Sequence, residues 1–584
     1  MDAAPPPIAL MEQQDPAITP DWAKDAVWYQ VFPERFRNGA PQSDPQPEDI
    51  GGAPPGWRVS PWGMEWYGRD TWEKPGVEAF WDTVFHRRFG GDLVGLRAQL
   101  PHLQKLGINA IYLNPIFQAR SLHKYDATTY HHIDPTLGPD RAGDLRAIAA
   151  ANETEDPATW IWTAADRFFL ELVADIHARG MRIILDGVFN HSGTACFAFR
   201  YLQKNGRASR YADWYQVTRW HPDGTFDYSS WDGAGILPNF GRDETNLHPG
   251  VKKYIFDITR RWMDPSGQGR PEEGIDGWRL DVAFCVPHAF WREWHAHVRA
   301  INPNAYTTAE IVGPAQEWLQ PGEFDAVMNY EWTYPTLSFF TPAPHAIPAR
   351  EFRQRINTLH ARHAPGTIHI LQNLLDSHDT GRVLTLFESQ SPAFTGWDTY
   401  FHWAKTANTP ELKTSRPGPA ARQALQLAAA WQMTGPGAPM LYYGTEVGMW
   451  GANDPCDRQP MLWQDIHYQD ETRDYRGPLL TPNSRQPDWF LFAFYQRLIA
   501  IRHAQPALRR GSFAWIPCED ENTLAFQRQL DDDTLWILIN KNPHPITWQL
   551  PTPGRDLWAA ADFPASPLSI PKQSFKIIRL VSEP

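Results

Sequence analysis

The sequence predicts an α/β chain built as a (β/α)8 TIM barrel, with a small domain inserted after the third strand and an antiparallel β-sandwich at the C-terminal end. Three observations lead there. One unit recurs in which an amphipathic helical pattern stops at a glycine and a short apolar, β-branched run follows at once. Eight such apolar runs precede residue 450, and no Gly-rich dinucleotide turn follows the first, so a closed barrel fits better than an open doubly wound sheet. Beyond about residue 505 the apolar period falls to two.

Taken in order, residues 1–25 lack a charged segment followed by an apolar one and read as a flexible lead-in without a signal peptide. AVWYQVF, from Ala26, is the first strand. Leu93, Leu96, Leu100 and Leu103 precede Gly107 and INAIYL; Phe168, Leu172, Val173 and Ile176 precede Gly180 and MRIILD. Residues 189–249 are too many for a simple loop between strand and helix and are expected to form the inserted domain. IDGWRLD, AYTTAEI, FDAVMNY, IHILQNLL from Ile368 and APMLYYG from Ala438 supply the remaining strands. Pro-rich stretches at 41–62 and 391–419 read as long surface loops. The barrel domain is thus drawn over 26–505, closing with the helical DWFLFAFYQRLIAIR from Asp488. FAWIP, TLAFQRQL, DTLWILINKN, ITWQL and SFKIIRLV make the sandwich over 506–584.

Composition removes several function classes. With 67 acidic and 54 basic residues the net charge is -13, the wrong sign for a polyphosphate partner, so no nucleic acid is expected. No apolar run approaches the ~20 residues of a spanning helix, and no membrane role is expected. Cys196, Cys285, Cys456 and Cys518 show neither zinc-ligand spacing nor a disulfide framework. The 28 tryptophans suit either a large core or the apolar faces of sugar rings. Trp214, Trp220 and Trp231 in the insertion are expected to pack first and shape a cleft second.

In a barrel, reactive groups sit where strands end, so the polar residues closing each run are the candidates. The third run ends in Asp186, Asn190 and His191; the fourth carries Arg279 and Asp281, two apart and therefore on one face. The fifth ends at Glu310, and the seventh leads into His378, Asp379 and Arg382. Facing carboxylates suit acetal cleavage, one as nucleophile and one as proton donor, with an arginine to keep the nucleophile ionised.

These segments resemble the motifs of glycoside hydrolase family 13, the α-amylase family, and within it the neopullulanase, cyclomaltodextrinase and maltogenic amylase group. The likeness rests on HKYDATTYHHIDPTLG from His123, DGVFNH, GWRLDVA, LLDSHDTGR, and GAPMLYYGTEVGMWGANDPCDRQPMLW from Gly437 to Trp463. It implies a retaining hydrolase of α-glucosidic bonds in maltooligosaccharides, cyclomaltodextrins, starch fragments or pullulan, needing no organic cofactor. By resemblance Asp281 is the nucleophile, Glu310 the general acid/base and Asp379 the transition-state stabiliser. Arg279 orients Asp281, Asp186 pairs with Arg279, His191 and His378 hold the sugar at the cleaved bond, Tyr125 stacks beneath it, and Arg382 is a further substrate contact.

Departures from the family pattern matter too. Phe284 and Cys285 stand where relatives place charged or amide residues, so they border the acceptor side with different chemistry. The group's calcium loop resembles NGAPQSDP, in which Asn38 and Asp44, with Asp92, remain as ligands for Ca2+ while Ala40 and Ser43 replace others. Only about 25 residues precede the first strand, so the group's N-terminal dimerisation domain is not expected, and monomer and dimer stay open. Alternatives are a transglycosylase of the same fold and a silent glucan-binding barrel, the latter opposed by intact Asp281, Glu310 and Asp379. The expected compartment is the cytoplasm, or the periplasm or exterior if a leader was removed.

Overall fold

The computed structural model describes residues 20–73 and 78–581. Most of the expected lead-in, residues 1–19, lies outside the described residues. Its last part does not match a flexible lead-in: Asp21–Asp25 is a short 3-10 turn with Ala23 buried, held by Arg510 reaching Asp21 (2.8 Å) and Asp25 (2.6 Å).

In chain order the strands are β1 (Trp28–Val31), β2 (Ala110–Leu113), β3 (Arg182–Gly187), a hairpin β4 (Val217–Trp220) and β5 (Phe226–Tyr228), then β6 (Gly277–Leu280), β7 (Tyr306–Ala309), β8 (Ala326–Val327), β9 (Gln372–Leu374) and β10 (Ala438–Tyr442). Eight of them form one parallel sheet in the order β8-β7-β6-β3-β2-β1-β10-β9. A bridge between Met328 and Gln372, with Asn329 N–H donating to the Gln372 carbonyl (2.8 Å), joins its two ends and closes the barrel. These strands are buried along nearly their whole length, which is why they read as unbroken apolar runs.

The helix-to-strand joints follow from sequence. Helix Leu100–Leu106 ends at Gly107, whose φ of 98° is in the left-handed region, and β2 starts three residues on. A Cβ there would lie 2.7 Å from Ile499 Cγ2, so the helix end and the later helix Trp489–Ala504 approach this closely only over a glycine.

Two predicted strands are shorter than their apolar runs. Residues before Gln372 in IHILQNLL include the end of a helical turn, Pro365–Ile368, set by proline at its first position. FDAVMNY contributes only Ala326–Val327 before the chain turns at Asn329 into helix Tyr330–Phe340. The stretch read as a loop at 391–419 carries helix Trp397–Trp403, anchored by buried Tyr400.

The insertion holds helix Phe197–Asn205 over the β4–β5 hairpin, with Phe199 packed edge-on to Tyr215 (4.8 Å) and Tyr228 (5.0 Å). Trp214 is buried beside Tyr211, and Trp220 lies on Phe226, so both pack; Trp231 instead meets Phe284. A further hairpin, β11 (Glu471–Asp474) and β12 (Gly477–Asn483), precedes the last barrel helix.

At the C-terminal end β13 (Ser512–Trp515), β14 (Thr523–Leu530), β15 (Asp533–Asn540), β16 (Ile546–Gln549), β17 (Gly554–Asp556), β18 (Ala561–Phe563), β19 (Pro567–Ile570) and β20 (Ser574–Leu580) form a six-stranded sheet facing the β16–β19 pair. Ala525, Leu538, Leu550, Leu568, Ile570 and Ile578 fill the space between them. The opposite face packs on the barrel, where Trp431 of helix Pro419–Thr434 stacks on Trp515 at 5.9 Å and 18°.

Candidate active site

Strand register assembles the site. Asp186 of β3 is the direct partner of Arg279 of β6, and Leu280 pairs with Ala309 of β7. One residue further on, Asp281 N–H donates to the Gly187 carbonyl (3.1 Å) and Glu310 N–H to the Leu280 carbonyl (2.9 Å). Asp186, Asp281 and Glu310 therefore leave three neighbouring strands at one end of the barrel.

They converge on a single cation. The fully buried Arg279 guanidinium sends Nη1 to Asp186 (2.7 Å) and Asp281 (3.1 Å), and Nη2 to Glu310 Oε2 (2.9 Å). Val282 N–H also donates to Glu310 Oε2 (2.9 Å), and Val282 sits at φ 39°, ψ 47°. A β-branched residue in the left-handed region costs ~1–3 kcal/mol, strain of the kind that gathers at functional sites. Burial and the Glu310 carboxylate push the Asp281 carboxyl well above the usual range, against the pull of Arg279. Burial and Glu310 raise Asp379 to about 7, opposed by Arg458 and Arg279. Carboxylates this crowded keep a proton among them at neutral pH.

A relay of polar groups surrounds the acids. Gln30 Nε2 donates to His378 Nδ1 (2.8 Å), so the ring proton sits on Nε2, which donates to the Tyr125 hydroxyl (2.6 Å). That hydroxyl in turn donates to Asp186 Oδ2 (2.9 Å), and the Tyr125 and His378 rings are parallel within 10°. His378 Nε2 also lies 3.2 Å from Asp379 Oδ2. Asn190 Nδ2 donates to His191 Nδ1 (3.0 Å), leaving His191 Nε2 protonated, buried and without a partner. Burial lowers His191 to about 3, so it is a neutral donor at working pH. An orphaned buried donor is rare unless a ligand completes it.

Other expected residues fall differently. Phe284 is 42% exposed, edge-on to Trp231 at 6.0 Å, while Cys285 turns its carbonyl to Arg242 Nη1. Arg382, expected to contact substrate, is fully buried against Tyr442 and Tyr443, with Nε on the Asp457 carbonyl (2.8 Å), Nη1 on the Tyr443 carbonyl (2.8 Å) and Nη2 unpartnered, a placement that braces the wall. The arginine that reaches Asp379 is Arg458, with Nε on the His378 carbonyl (2.8 Å) and Nη2 3.4 Å from Asp379 Oδ1. Only its place directly after Asp457, four residues beyond Asp454 in the closing segment, could have flagged it.

Asn38, Asp44 and Asp92 do come together. Asn38 Nδ2 donates to Asp44 Oδ1 (2.7 Å), leaving Asn38 Oδ1 buried without a partner. Asp92 caps helix Leu93–Ala98 through Gly95 N–H (2.5 Å) and accepts from Gly39 (3.0 Å) and Ala40 (2.7 Å). Burial raises both Asp44 and Asp92 to about 6.

The family described as alpha amylase, catalytic domain, matches residues 30–153 and 164–408. Neopullulanase 2 of Thermoactinomyces vulgaris is 34% identical over 94% of this chain and 75% of its own length. A cyclomaltodextrinase of a Bacillus species is 34% identical over 90% of this chain and 74% of its own. Among solved structures, the ligand-free cyclic alpha-maltosyl-(1-->6)-maltose hydrolase of Arthrobacter globiformis aligns with 97% of this chain and 100% of its own at a TM-score of 0.69 and 30% identity.

The Asp379 environment predicts a pH signature. Burial and the neighbouring Glu310 raise the Asp379 carboxyl to about 7 in the folded protein, whereas in the unfolded chain an aspartate titrates at ~3.9. Stability from this group therefore falls as pH rises across that window, by up to ~1.4 kcal/mol per pH unit. Asp379→Asn is expected to flatten the decline of the thermal midpoint between about pH 4 and pH 7 by up to this one-proton slope; an unchanged slope would refute the assignment.

Proposed function

The chain belongs to glycoside hydrolase family 13, the α-amylase family, and we propose that it hydrolyses α-glucosidic bonds in maltooligosaccharides, cyclomaltodextrins or pullulan with retention of configuration. The observation that carries this is the Arg279 guanidinium shared by Asp186, Asp281 and Glu310 at adjacent strand ends. Two carboxylates on one guanidinium suit a retaining pair at ~5–5.5 Å better than an inverting pair with water between them.

Asp281 attacks the anomeric carbon, and Glu310 gives its proton to the departing glycosidic oxygen. The resulting glycosyl ester on Asp281 is opened by water, whose proton returns to Glu310. Arg279 stabilises the ionised form of Asp281, and Asp186 with Tyr112 (2.6 Å) keeps that arginine in place. His191 Nε2 donates to a hydroxyl of the sugar at the cleaved bond, and Tyr125 forms the platform beneath it. Asp379, held by Arg458 and His378, faces the developing positive charge. On the acceptor side the Phe284–Trp231 pair offers apolar faces to the leaving chain. Products from maltoheptaose, a cyclodextrin and pullulan, separated by chromatography, test the reading: shorter maltooligosaccharides support hydrolysis, and oligomers longer than the substrate would make it a transferase.

For a hard cation, an orphaned buried amide oxygen on Asn38 and two carboxyls raised chiefly by burial, with Asp44 adding to the rise at Asp92, fit the chemistry. Asn38 Oδ1 and Asp44 would hold Ca2+, with Asp92 contributing what its helix-capping leaves free, and the ion would brace the loop after β1.

Three outcomes are expected. Glu310→Gln lowers turnover of maltotriose at least ~10²-fold, with smaller loss in the first step on an activated aryl glucoside, and NMR of wild-type products shows the α-anomer first. Equal losses on both substrates would remove Glu310 from its role. Phe284→Ala lowers kcat/KM on cyclodextrin and long maltodextrins about tenfold while sparing the aryl glucoside, since the lost contact lies beyond the cleavage point. A uniform loss would mean damaged packing instead. Ca2+ raises the thermal midpoint at pH 7.5, the gain shrinks below about pH 6 where Asp44 and Asp92 take up protons, and Asp44→Ala abolishes it; a shift surviving Asp44→Ala would place the ion elsewhere.

A further inference from the structure

Behind the active site lies a second cluster that the glycosidase chemistry does not use. His131 and His132, on the segment that follows β2, meet Glu153, which follows helix Arg141–Ala151. Their ligand atoms all lie within 4.8 Å of one another. Glu153 Oε2 is 2.7 Å from His132 Nε2 and 3.4 Å from His131 Nε2. Both imidazoles are buried, and the Glu153 side chain is nearly so.

Each group is oriented from behind. His132 Nδ1 is 2.8 Å from Asp166 Oδ2, and Asp166 is itself fixed by Ile133 N–H (2.8 Å) and Thr163 N–H (3.0 Å). His131 Nδ1 contacts the hydroxyls of Thr129 (2.8 Å) and Tyr254 (2.9 Å), and its ring lies flat on Trp160 at 4.5 Å. Glu153 uses its other oxygen for Ile161 N–H (2.7 Å). With both Nδ1 atoms engaged, both Nε2 atoms are turned toward one carboxylate oxygen, the arrangement in which outer hydrogen bonds aim imidazole lone pairs at a metal. Tetrahedral ligands at ~2.0–2.1 Å stand about 3.3 Å apart. The His131–Glu153 separation of 3.4 Å already matches that, and the His132–Glu153 separation of 2.7 Å must open by about 0.6 Å.

We propose that His131, His132 and Glu153 bind a divalent transition cation of the zinc class, with water in the fourth position. Two imidazoles and one carboxylate are borderline donors, suited to Zn2+ or Co2+ and poor for Ca2+. In the absence of the ion, protons hold the nitrogens and the carboxylate together; the ion replaces them. The site's role is structural. Tyr130, next to His131, donates its hydroxyl to the His191 carbonyl, so a metal here pins the 152–163 connection to the loop that carries the substrate-facing histidine.

The test uses the full chain, freed of metal by a chelator and kept in excess Ca2+. Zn2+ is titrated by calorimetry, retained metal is measured after gel filtration, and Co2+ is followed by its visible spectrum. Wild type is expected to retain one Zn2+ per chain and gain thermal stability from it, with Co2+ giving a four-coordinate band. Glu153→Gln and His131→Asn, each checked for an intact fold without metal, are expected to lose at least tenfold in Zn2+ affinity and the thermal gain. Both variants keep Asp281, Glu310 and Asp379, so Zn2+ bound as tightly as in wild type would place it elsewhere and overturn the proposal. Absence of retained Zn2+ in wild type would overturn it as well.

Discussion

Everything at the catalytic end of the barrel is arranged around one buried cation. Arg279 has no solvent to stabilise it, and each carboxylate near it would be costly to bury alone, by several kcal/mol per ion. Together they offset one another: Asp186, Asp281 and Glu310 all reach the same guanidinium. The constraint is geometric as much as electrostatic. A planar fork serves three acids only if β3, β6 and β7 hold their register, which main-chain hydrogen bonds from Asp281 to Gly187 and from Glu310 to Leu280 enforce. A slip by one residue would turn Arg279 to the other face of its strand and leave the acids uncompensated.

From that centre the surroundings take their protonation states. Asp186 is committed to Arg279, so the hydroxyls of Tyr112 and Tyr125 donate to it, and His378 completes the chain with its tautomer set by Gln30 on β1. His191 stays neutral and keeps one donor free. Buried charges and donors thus face one another around Arg279, and His191 Nε2 is left free for a ligand, an arrangement suited to preorganised electrostatic stabilisation. The barrel wall supplies the rigidity: Arg382 and Arg458 tie the seventh-strand loop to the closing segment, one as brace and one as partner of Asp379.

Much of this was legible in the chain. Buried parallel strands carry side chains into apolar surroundings on both faces, so AIYL and APMLY announce themselves as apolar runs wherever they sit. Polar residues at their ends stand out for the same reason, and Asp186, His191, Arg279, Asp281, Glu310, His378 and Asp379 were all visible in this way. β17, β18 and β19 were not, because they are three or four residues long, too short to establish a period.

The sequence by itself determined the barrel strands and the alternating C-terminal strands, since burial on both faces and period-two alternation are local properties of the chain, and the likeness of its motifs pointed to the acids. Only the tertiary structure decided which arginine does what. Sequence singled out Arg382 and passed over Arg458, because the direction each guanidinium takes depends on Tyr442, Tyr443 and Asp379, which lie far from one or the other along the chain. The same holds for His131, His132 and Glu153. Two adjacent histidines and an acid 21 residues beyond the second carry no metal signature in sequence. They become a cluster only because helix Arg141–Ala151 returns the chain to the segment after β2, and long-range packing is not written in any local pattern.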